Sequence, residues 1–354
     1  MITDKTHTEE WLTGLQKKFR RKDPGILERV VKALTLLDHL VDSGLEDFVF
    51  KGGTSLILIL ENTKRFSIDI DLCITEKPKN IEDIFDKVLA KGVFTSWELS
   101  PRKPVPPLDK EHYKFVFKSI RDGAESNILL DLVFQELHYP ELEIRPIKAL
   151  YIDTEDPVIN VQVLPVDCML GDKLTAFAPD TCGIPYGVNK ELEIIKQLYD
   201  VSRLFRQSND LSLVRKTFNI SSAKELEYRG LNELHPSDVL EDIFLTSLLL
   251  AERGNRRDKE KFEALTFGIR GFANYISDGG FVIEDAIVCG SQAAYLAQLI
   301  RKSDETEIKR FDSDLNLKDV LIEGGFNYLN RLKKTSPEAF FYFKEAIEIY
   351  ESLN

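Results

Sequence analysis

The sequence predicts an α+β protein: a mixed β-sheet with flanking helices in the N-terminal part, followed by a helical lobe. Three observations carry this. Short period-2 apolar runs alternate with helical patterns as far as about residue 165. After Pro165 the strand patterns stop, and helical patterns continue nearly to the C-terminus. The 354 residues are enough for one large domain or two ordinary ones, so the change of texture is a natural boundary. The expected units are residues 1–165 and 166–354.

In order along the chain, Asp23 to Asp42 reads as a helix. Ile26, Val30, Val31, Leu34, Leu37 and Leu40 fall at helical spacing, and Pro24 suits the first turn. FVFK (48–51) is a strand, and GGTSLILILE is a turn opening a helix. SIDIDLCI is a period-2 strand, IEDIFDKVLAKG a helix stopped by Gly92, and Pro101 to Pro107 a loop. EHYKFVFKSI and NILLDLVFQ are paired strands joined through RDGAE, whose Asp-Gly is a turn signal; VINVQVLP (158–165) is a further strand. DCMLGDKLTAFA then reads as a helix, DTCGIPYG as a loop, and NKELEIIKQLYDVSRLF as an amphipathic helix. Further helices are expected around 237–252, 258–277, 281–301 and 336–352.

Composition narrows the class. Hydrophobic content of 43% and charged content of 30% are ordinary for a soluble globular protein. No apolar run approaches the ~20 residues of a membrane span, and the N-terminus lacks a secretory core, so the expectation is a cytoplasmic protein without a membrane partner. Cys73, Cys168, Cys182 and Cys289 form no CxxC pair, which argues against a zinc site or disulfide framework. A formal net charge of −12 argues against a general nucleic-acid coat but leaves room for a local basic groove. Two clusters could form one: Lys17, Lys18, Arg20, Arg21 and Lys22, and Arg253, Arg256 and Arg257. Each reads equally as solvated helix ends.

The chemistry is concentrated between Phe50 and Ile74. In a strand, residues i and i+2 share a face, about 7 Å apart along the backbone, so Asp69 and Asp71 converge. Two like charges among apolar neighbours are costly without a cation. Two carboxylates on one strand face make a platform for Mg²⁺, which takes oxygen ligands and leaves room for substrate phosphates. Asp131, another lone acid in an apolar strand, is the candidate third carboxylate. Gly52, Gly53, Thr54 and Ser55 would let a ligand approach the backbone and present helix N–H groups and hydroxyls to phosphate. Each motif alone has a plain alternative: a capped tight turn for the tetrapeptide, and an edge strand with solvated acids for Asp-Ile-Asp.

KGGTSL followed by RFSIDIDL resembles the polymerase-β-type nucleotidyltransferase superfamily and, more narrowly, the AbiEii/AbiGii toxin family of abortive-infection and toxin–antitoxin systems. LGDKLTAFAPDTCGIPYG and KELEIIKQLYDVSRL are similar to that family's later motifs, an Asp-Lys at a helix start and a Lys-x-x-x-Asp on the next helix. The resemblance covers about residues 45–205. It implies a nucleotidyltransferase-type sheet and Mg²⁺-dependent (or Mn²⁺-dependent) transfer of a nucleoside monophosphate from an NTP to an acceptor hydroxyl. It also implies that Gly52, Gly53, Thr54, Ser55 and Ser67 bind the triphosphate and that Asp69 and Asp71, with Asp131, bind metal. Lys173 would contact phosphates, Asp200 would be the last motif's acid in a cleft between the lobes, and Lys196 would flank the same site. The acceptor implied is RNA, the 3′ end of tRNA, and a cognate antitoxin is implied as partner. At Gln197 the chain departs from the family's usual aspartate.

Other readings stay open at this level. The acceptor could be a small molecule or a protein, or the chain could be a non-catalytic NTP-binding module. Asp172 and Lys173 could be a capped helix start, and Lys196 and Asp200 a surface i,i+4 ladder. Tyr186 and Tyr199 could stack a base or simply pack in the core. The histidines show no spacing of a metal or nucleophile site, and Cys182 is a poor nucleophile candidate.

Overall fold

The computed structural model describes residues 1–19, 22–100, 109–304 and 307–353. Arg20, Arg21 and the expected loop Pro101–Pro107 lie outside the described residues. The chain divides into two compact units: Met1–Pro165 with Tyr275–Gly279, and Val166–Asn274 with Gly280–Asn354.

The first unit holds α1 (Glu9–Lys18), α2 (Pro24–Asp42), β1 (Phe48–Lys51), α3 (Gly52–Ile59), β2 (Ile70–Ile74), α4 (Ile81–Ala90), β3 (Ser96–Leu99), β4 (Asp109–Lys118), β5 (Glu125–Phe134), β6 (Glu143–Pro146) and β7 (Asn160–Val163). The seven strands form one mixed sheet in the order β3-β4-β5-β2-β1-β7-β6. Asp23 caps α2 by accepting from Gly25 N, and Pro24 opens it. Tyr113, Phe115 and Phe117 of β4 and Ile128, Leu130 and Leu132 of β5 are buried at every second position. Phe85 of α4 packs edge-on against Tyr113 and Phe115, and Lys32 of α2 lies over the Phe117 ring, so these helices cover that face. The alternate positions, His112 and Asp131 among them, lie on the other face and are only half-buried. The segment Tyr275–Gly279 joins this unit by an antiparallel bridge of Ile276 to Arg65 and by Tyr275 O accepting from Phe66 N.

The second unit is helical: α5 (Val166–Ala176), α6 (Glu191–Phe205), α7 (Leu211–Tyr228), α8 (Pro236–Glu252), α9 (Lys259–Phe272), α10 (Ile283–Arg301), α11 (Leu332–Thr335) and α12 (Pro337–Leu353). α10 is its buried centre, packed by α6, α8 and α12. Glycine permits two close crossings. A Cβ at Gly171 would lie 2.6 Å from Val214 O, and one at Gly268 would lie 2.3 Å from Glu191 O.

Three sequence expectations change. The short edge strands β3 and β6, and helices α1, α7 and α11, are not among the expected elements. Asp69 precedes β2 rather than lying inside it. Asp172 and Lys173 sit late in α5, not at a helix start, because that helix already begins at Val166.

Candidate active site

The first group of residues gathers where β1 turns into α3. Gly52 has φ +79°, a left-handed conformation that favours glycine. The Asp71 carboxylate occupies the space beside it: a Cβ on Gly52 would lie 1.9 Å from Asp71 Oδ2. At Gly53 a Cβ would lie 2.5 Å from Arg65 Nη2 and 2.7 Å from Ser67 Oγ. The glycine pair thus lets a carboxylate, a guanidinium and a hydroxyl close onto the first turn of α3, whose N-cap Lys51 provides no side-chain cap. Sequence reasoning missed Arg65, which is 4% exposed; its sequence signal was a basic residue four positions before Asp69.

Thr54 and Ser55 are fully buried and serve the scaffold. Thr54 Oγ1 donates to Asp69 O at 2.5 Å, tying α3 to the start of β2, and Ser55 Oγ donates to Gly52 O at 3.0 Å. Their hydroxyls, read from the sequence as phosphate donors, point to main-chain oxygens here.

Strand register sets the acids beside their partners. Lys51 of β1 pairs with Asp71 of β2, Asp71 with Asp131 of β5, and Asp131 with His112 of β4. Residues opposite one another across a ladder share a face. Lys51, Asp71, Asp131 and His112 therefore form one row across four strands, on the face away from α2 and α4. His112 Nδ1 is 2.7 Å from Asp131 Oδ1, and Lys51 Nζ donates to the Tyr139 hydroxyl at 2.6 Å. Lys51 is a cation beside the acid pair that the sequence reading did not single out.

Among the described residues no group of three or more His, Cys, Asp or Glu is arranged to hold a metal ion. The half-buried pair Asp69 and Asp71 nevertheless fits Mg²⁺ in donor chemistry, since that ion is commonly held by one or two carboxylates, with waters and substrate phosphates completing its shell.

The second group lies in the helical unit. Lys173 of α5 and Asp200 of α6 make a buried ion pair at 3.0 Å, with side chains 7% and 1% exposed. Gln197, one helical turn before Asp200, accepts from Lys173 Nζ at 3.0 Å. The position where the chain departs from the family pattern is thus the lysine's second holder. Lys196 pairs with Glu193 at 2.8 Å. Asp200 is not on an exposed helix face.

The remaining candidates resolve plainly. Tyr199 packs against Phe272 and Phe281. Burial pushes the Cys182 thiol up to about 12, which suits packing and not nucleophilic work. Arg253 pairs with Glu284, Arg256 lies over the Tyr328 ring, and Arg257 pairs with Glu252, so this cluster is engaged inside the helical unit.

Residues 35–275 match the model of the nucleotidyl transferase AbiEii toxin family, type IV toxin–antitoxin system. The chain belongs to that family. As an AbiEii-family protein it is a nucleotidyltransferase and a toxin of the type IV class, which implies an antitoxin counterpart. The match takes in both residue groups and ends before α10. A search of curated proteins finds no match. Two solved Helicobacter pylori structures are similar at 14% identity. JHP933 has a TM-score of 0.44, with 78% of this chain and 93% of that one covered. A candidate nucleotidyltransferase has a TM-score of 0.43, with 79% and 96% covered. The family assignment rests on the family match alone. No helix among the described residues is long and apolar enough to cross a membrane.

Proposed function

We propose that this AbiEii-family chain transfers a nucleoside monophosphate from an NTP to a hydroxyl of RNA, the 3′ end of tRNA. The observation that carries the reading is the closure of Asp71, Arg65 and Ser67 onto the Gly52–Gly53 turn, which gathers a carboxylate, a guanidinium and a hydroxyl at the first turn of α3.

In this reading the triphosphate lies against the first turn of α3, where unpaired N–H groups favour phosphate. Arg65 and Ser67 supply charge-assisted and neutral donors to its oxygens. Asp69 and Asp71 would hold Mg²⁺, which would offset charge on the attacking and leaving oxygens. The acceptor hydroxyl attacks the α-phosphorus in line, the bond to the bridging oxygen breaks, and pyrophosphate leaves. The chain's share is orientation and electrostatics, with no covalent intermediate of its own. In the helical unit, Asp200 and Gln197 fix the Lys173 ammonium. Lys17 and Lys18, exposed at the end of α1, are the contacts this reading offers to an RNA backbone.

The test incubates purified protein with Mg²⁺, total tRNA and each of four α-labelled NTPs in turn, beside Asp71→Ala. Label entering RNA from one nucleotide and absent with the variant is the expected result, and it also gives the base preference. Nucleotide binding without RNA labelling would overturn the acceptor; no nucleotide binding would overturn the site.

A further inference from the structure

We infer that Tyr275, Ile276 and Ser277, a strap in the segment between α9 and α10, are positioning residues for the nucleotide: they hold Arg65 at the first turn of α3. The inference rests on the nucleotidyl-transfer reading above, in which Arg65 meets the triphosphate.

Arg65 has a long, flexible stem, and placing its head in one position costs rotamer entropy. Its guanidinium is buried and stands close to Gly53, where a Cβ would lie 2.5 Å from Nη2. The side chain supplies part of its own restraint, with Nη1 donating to Phe66 O at 3.1 Å. That bond fixes the head relative to the local backbone, and the backbone needs fixing in turn. Residues 60–69, between α3 and β2, form no helix and no strand of the sheet.

The strap supplies the missing ladder. Arg65 pairs with Ile276 in antiparallel sense. On one side of the pair Phe66 N donates to Tyr275 O at 2.9 Å, and on the other Ser277 N donates to Lys64 O at 2.9 Å. These bonds flank Arg65 and Ile276, which are therefore a non-hydrogen-bonded pair, the kind whose side chains lie closest. Ile276 is buried, so it sets an apolar wall beside the arginine stem. The Ser277 bond falls at a strained point: Lys64 has φ +53°, a left-handed conformation uncommon for a residue with a Cβ. Such a conformation persists where its surroundings over-determine it. Here Lys64 N donates to Asn62 Oδ1 at 3.0 Å while Lys64 O accepts from the strap. Thr63 Oγ1 donates to Arg65 O at 3.1 Å, and Phe66 packs edge-on against Phe19 and Tyr151. The grip is thus centred on the residue whose head reaches the α3 turn, and it ends one residue before Ser67. The family match stops at Tyr275, so Ile276 and Ser277 lie just beyond it.

The test is equilibrium dialysis of the full chain against α-labelled ATP, GTP, CTP and UTP in turn, with Mg²⁺, beside the thermal midpoint of each variant. Ser277→Pro removes the N–H given to Lys64, and Ser277→Ala keeps it. Ile276→Ala removes the wall beside the arginine stem. Arg65→Ala should weaken binding of the preferred nucleotide by about 10- to 100-fold, the worth of its charge-assisted hydrogen bonds. Ser277→Pro and Ile276→Ala should each weaken it by about tenfold, the effect of a displaced contact group, with Ser277→Ala within about twofold of wild type. Added to Arg65→Ala, Ser277→Pro should change binding by less than about twofold, because the strap acts through the arginine.

If Arg65→Ala weakens binding while Ser277→Pro and Ile276→Ala do not, this inference is overturned and the reading of the site is spared. Lower thermal midpoints in those two variants would then make the strap a folding device. An equal loss from Ser277→Pro with and without Arg65 overturns the inference too. Arg65→Ala that binds as wild type does, or wild type that binds none of the four nucleotides, overturns the reading of the site and this inference with it. Ile276→Ala takes the place of Ser277→Pro in the double variant if the proline chain does not fold.

Discussion

Two clusters of charge lie in the two units, and they are built on opposite principles. On the sheet face, Asp71 and Asp131 are like-charged and half-buried, with Lys51 and His112 beside them, while half-buried Asp69 just precedes β2 and Arg65 lies at the Gly53 turn. In the helical unit, Lys173 and Asp200 are oppositely charged, sealed and completed by Gln197. The first arrangement is poor as a stabilising device and good as a receptor, because its repulsion is relieved when a cation arrives. The second is a closed account of charge, whose removal from one side alone leaves an ion without a partner. Removing a charge should therefore cost function in the first and stability in the second.

The largest expected effect is on turnover. Asp69→Ala or Asp71→Ala should reduce transfer to background in the labelled-NTP assay. Full turnover by either variant would break the contrast at its first term.

Next is Asp200→Asn. It leaves the Lys173 ammonium buried with two neutral amides and should cost about 3–5 kcal/mol of stability. The paired change Lys173→Met with Asp200→Leu should recover most of that loss, because a well-packed apolar pair often equals a buried ion pair. Denaturant unfolding of the single and double variants measures it. A single variant as stable as wild type would mean that the pair is wetter than its 1% and 7% exposures state.

Gly52→Ala should act on both quantities. The left-handed backbone there costs about 1–2 kcal/mol for a residue with a Cβ, and the new methyl group displaces the Asp71 carboxylate. Stability should fall by about that amount while transfer falls far more. Proportionate losses would make the glycine a folding device only.

These contrasts also show what was readable in one dimension. α2, the turn into α3, β2 and α6 each carry a local signature: a cap, a glycine pair, two acids in apolar surroundings, a 3.6 period. β3 and β6 carry none, being four-residue edge strands with little burial to pattern them. α7 was legible in principle from the Asp210 cap and the spacing of Leu211, Val214 and Phe218, but its exposed face is rich in serine and lysine. His112 was out of reach for a different reason. Its partner is fixed by register, and a two-residue turn centred on Asp122-Gly123 would set Val133 opposite it. The hairpin instead pairs Lys118 with Glu125, which moves the ladder by two residues and brings Asp131 across. Gln197 was visible only as a departure from a pattern; the ammonium it holds lies on another helix.

A further expected effect separates the units by pH. In the first unit, burial and neighbouring lysines lower His7 to about 3 and His39 to about 4. The unfolded chain binds these protons near pH 6.5 and the folded chain resists them, so this unit loses stability as pH falls below about 6.5. In the second unit, Asp242 accepts from Asp180 N, Thr181 Oγ1 and Thr246 Oγ1, and burial raises it to about 6. Its proton is held more tightly when folded, so its contribution runs the other way: present below about pH 4 and lost as pH rises through 6. Trp11 and Trp97, the chain's two tryptophans, both lie in the first unit, so their fluorescence reports that unit while far-UV circular dichroism is weighted toward the helical one. Between pH 7 and 4.5 the fluorescence midpoint should fall. Asp242→Asn should shift the slope of the dichroism midpoint by at most about 1.4 kcal/mol per pH unit, the effect of one proton. Coincident transitions at every pH, with no change of slope in the variant, would mean that the two units unfold as one and that Asp242 ionises as freely folded as unfolded.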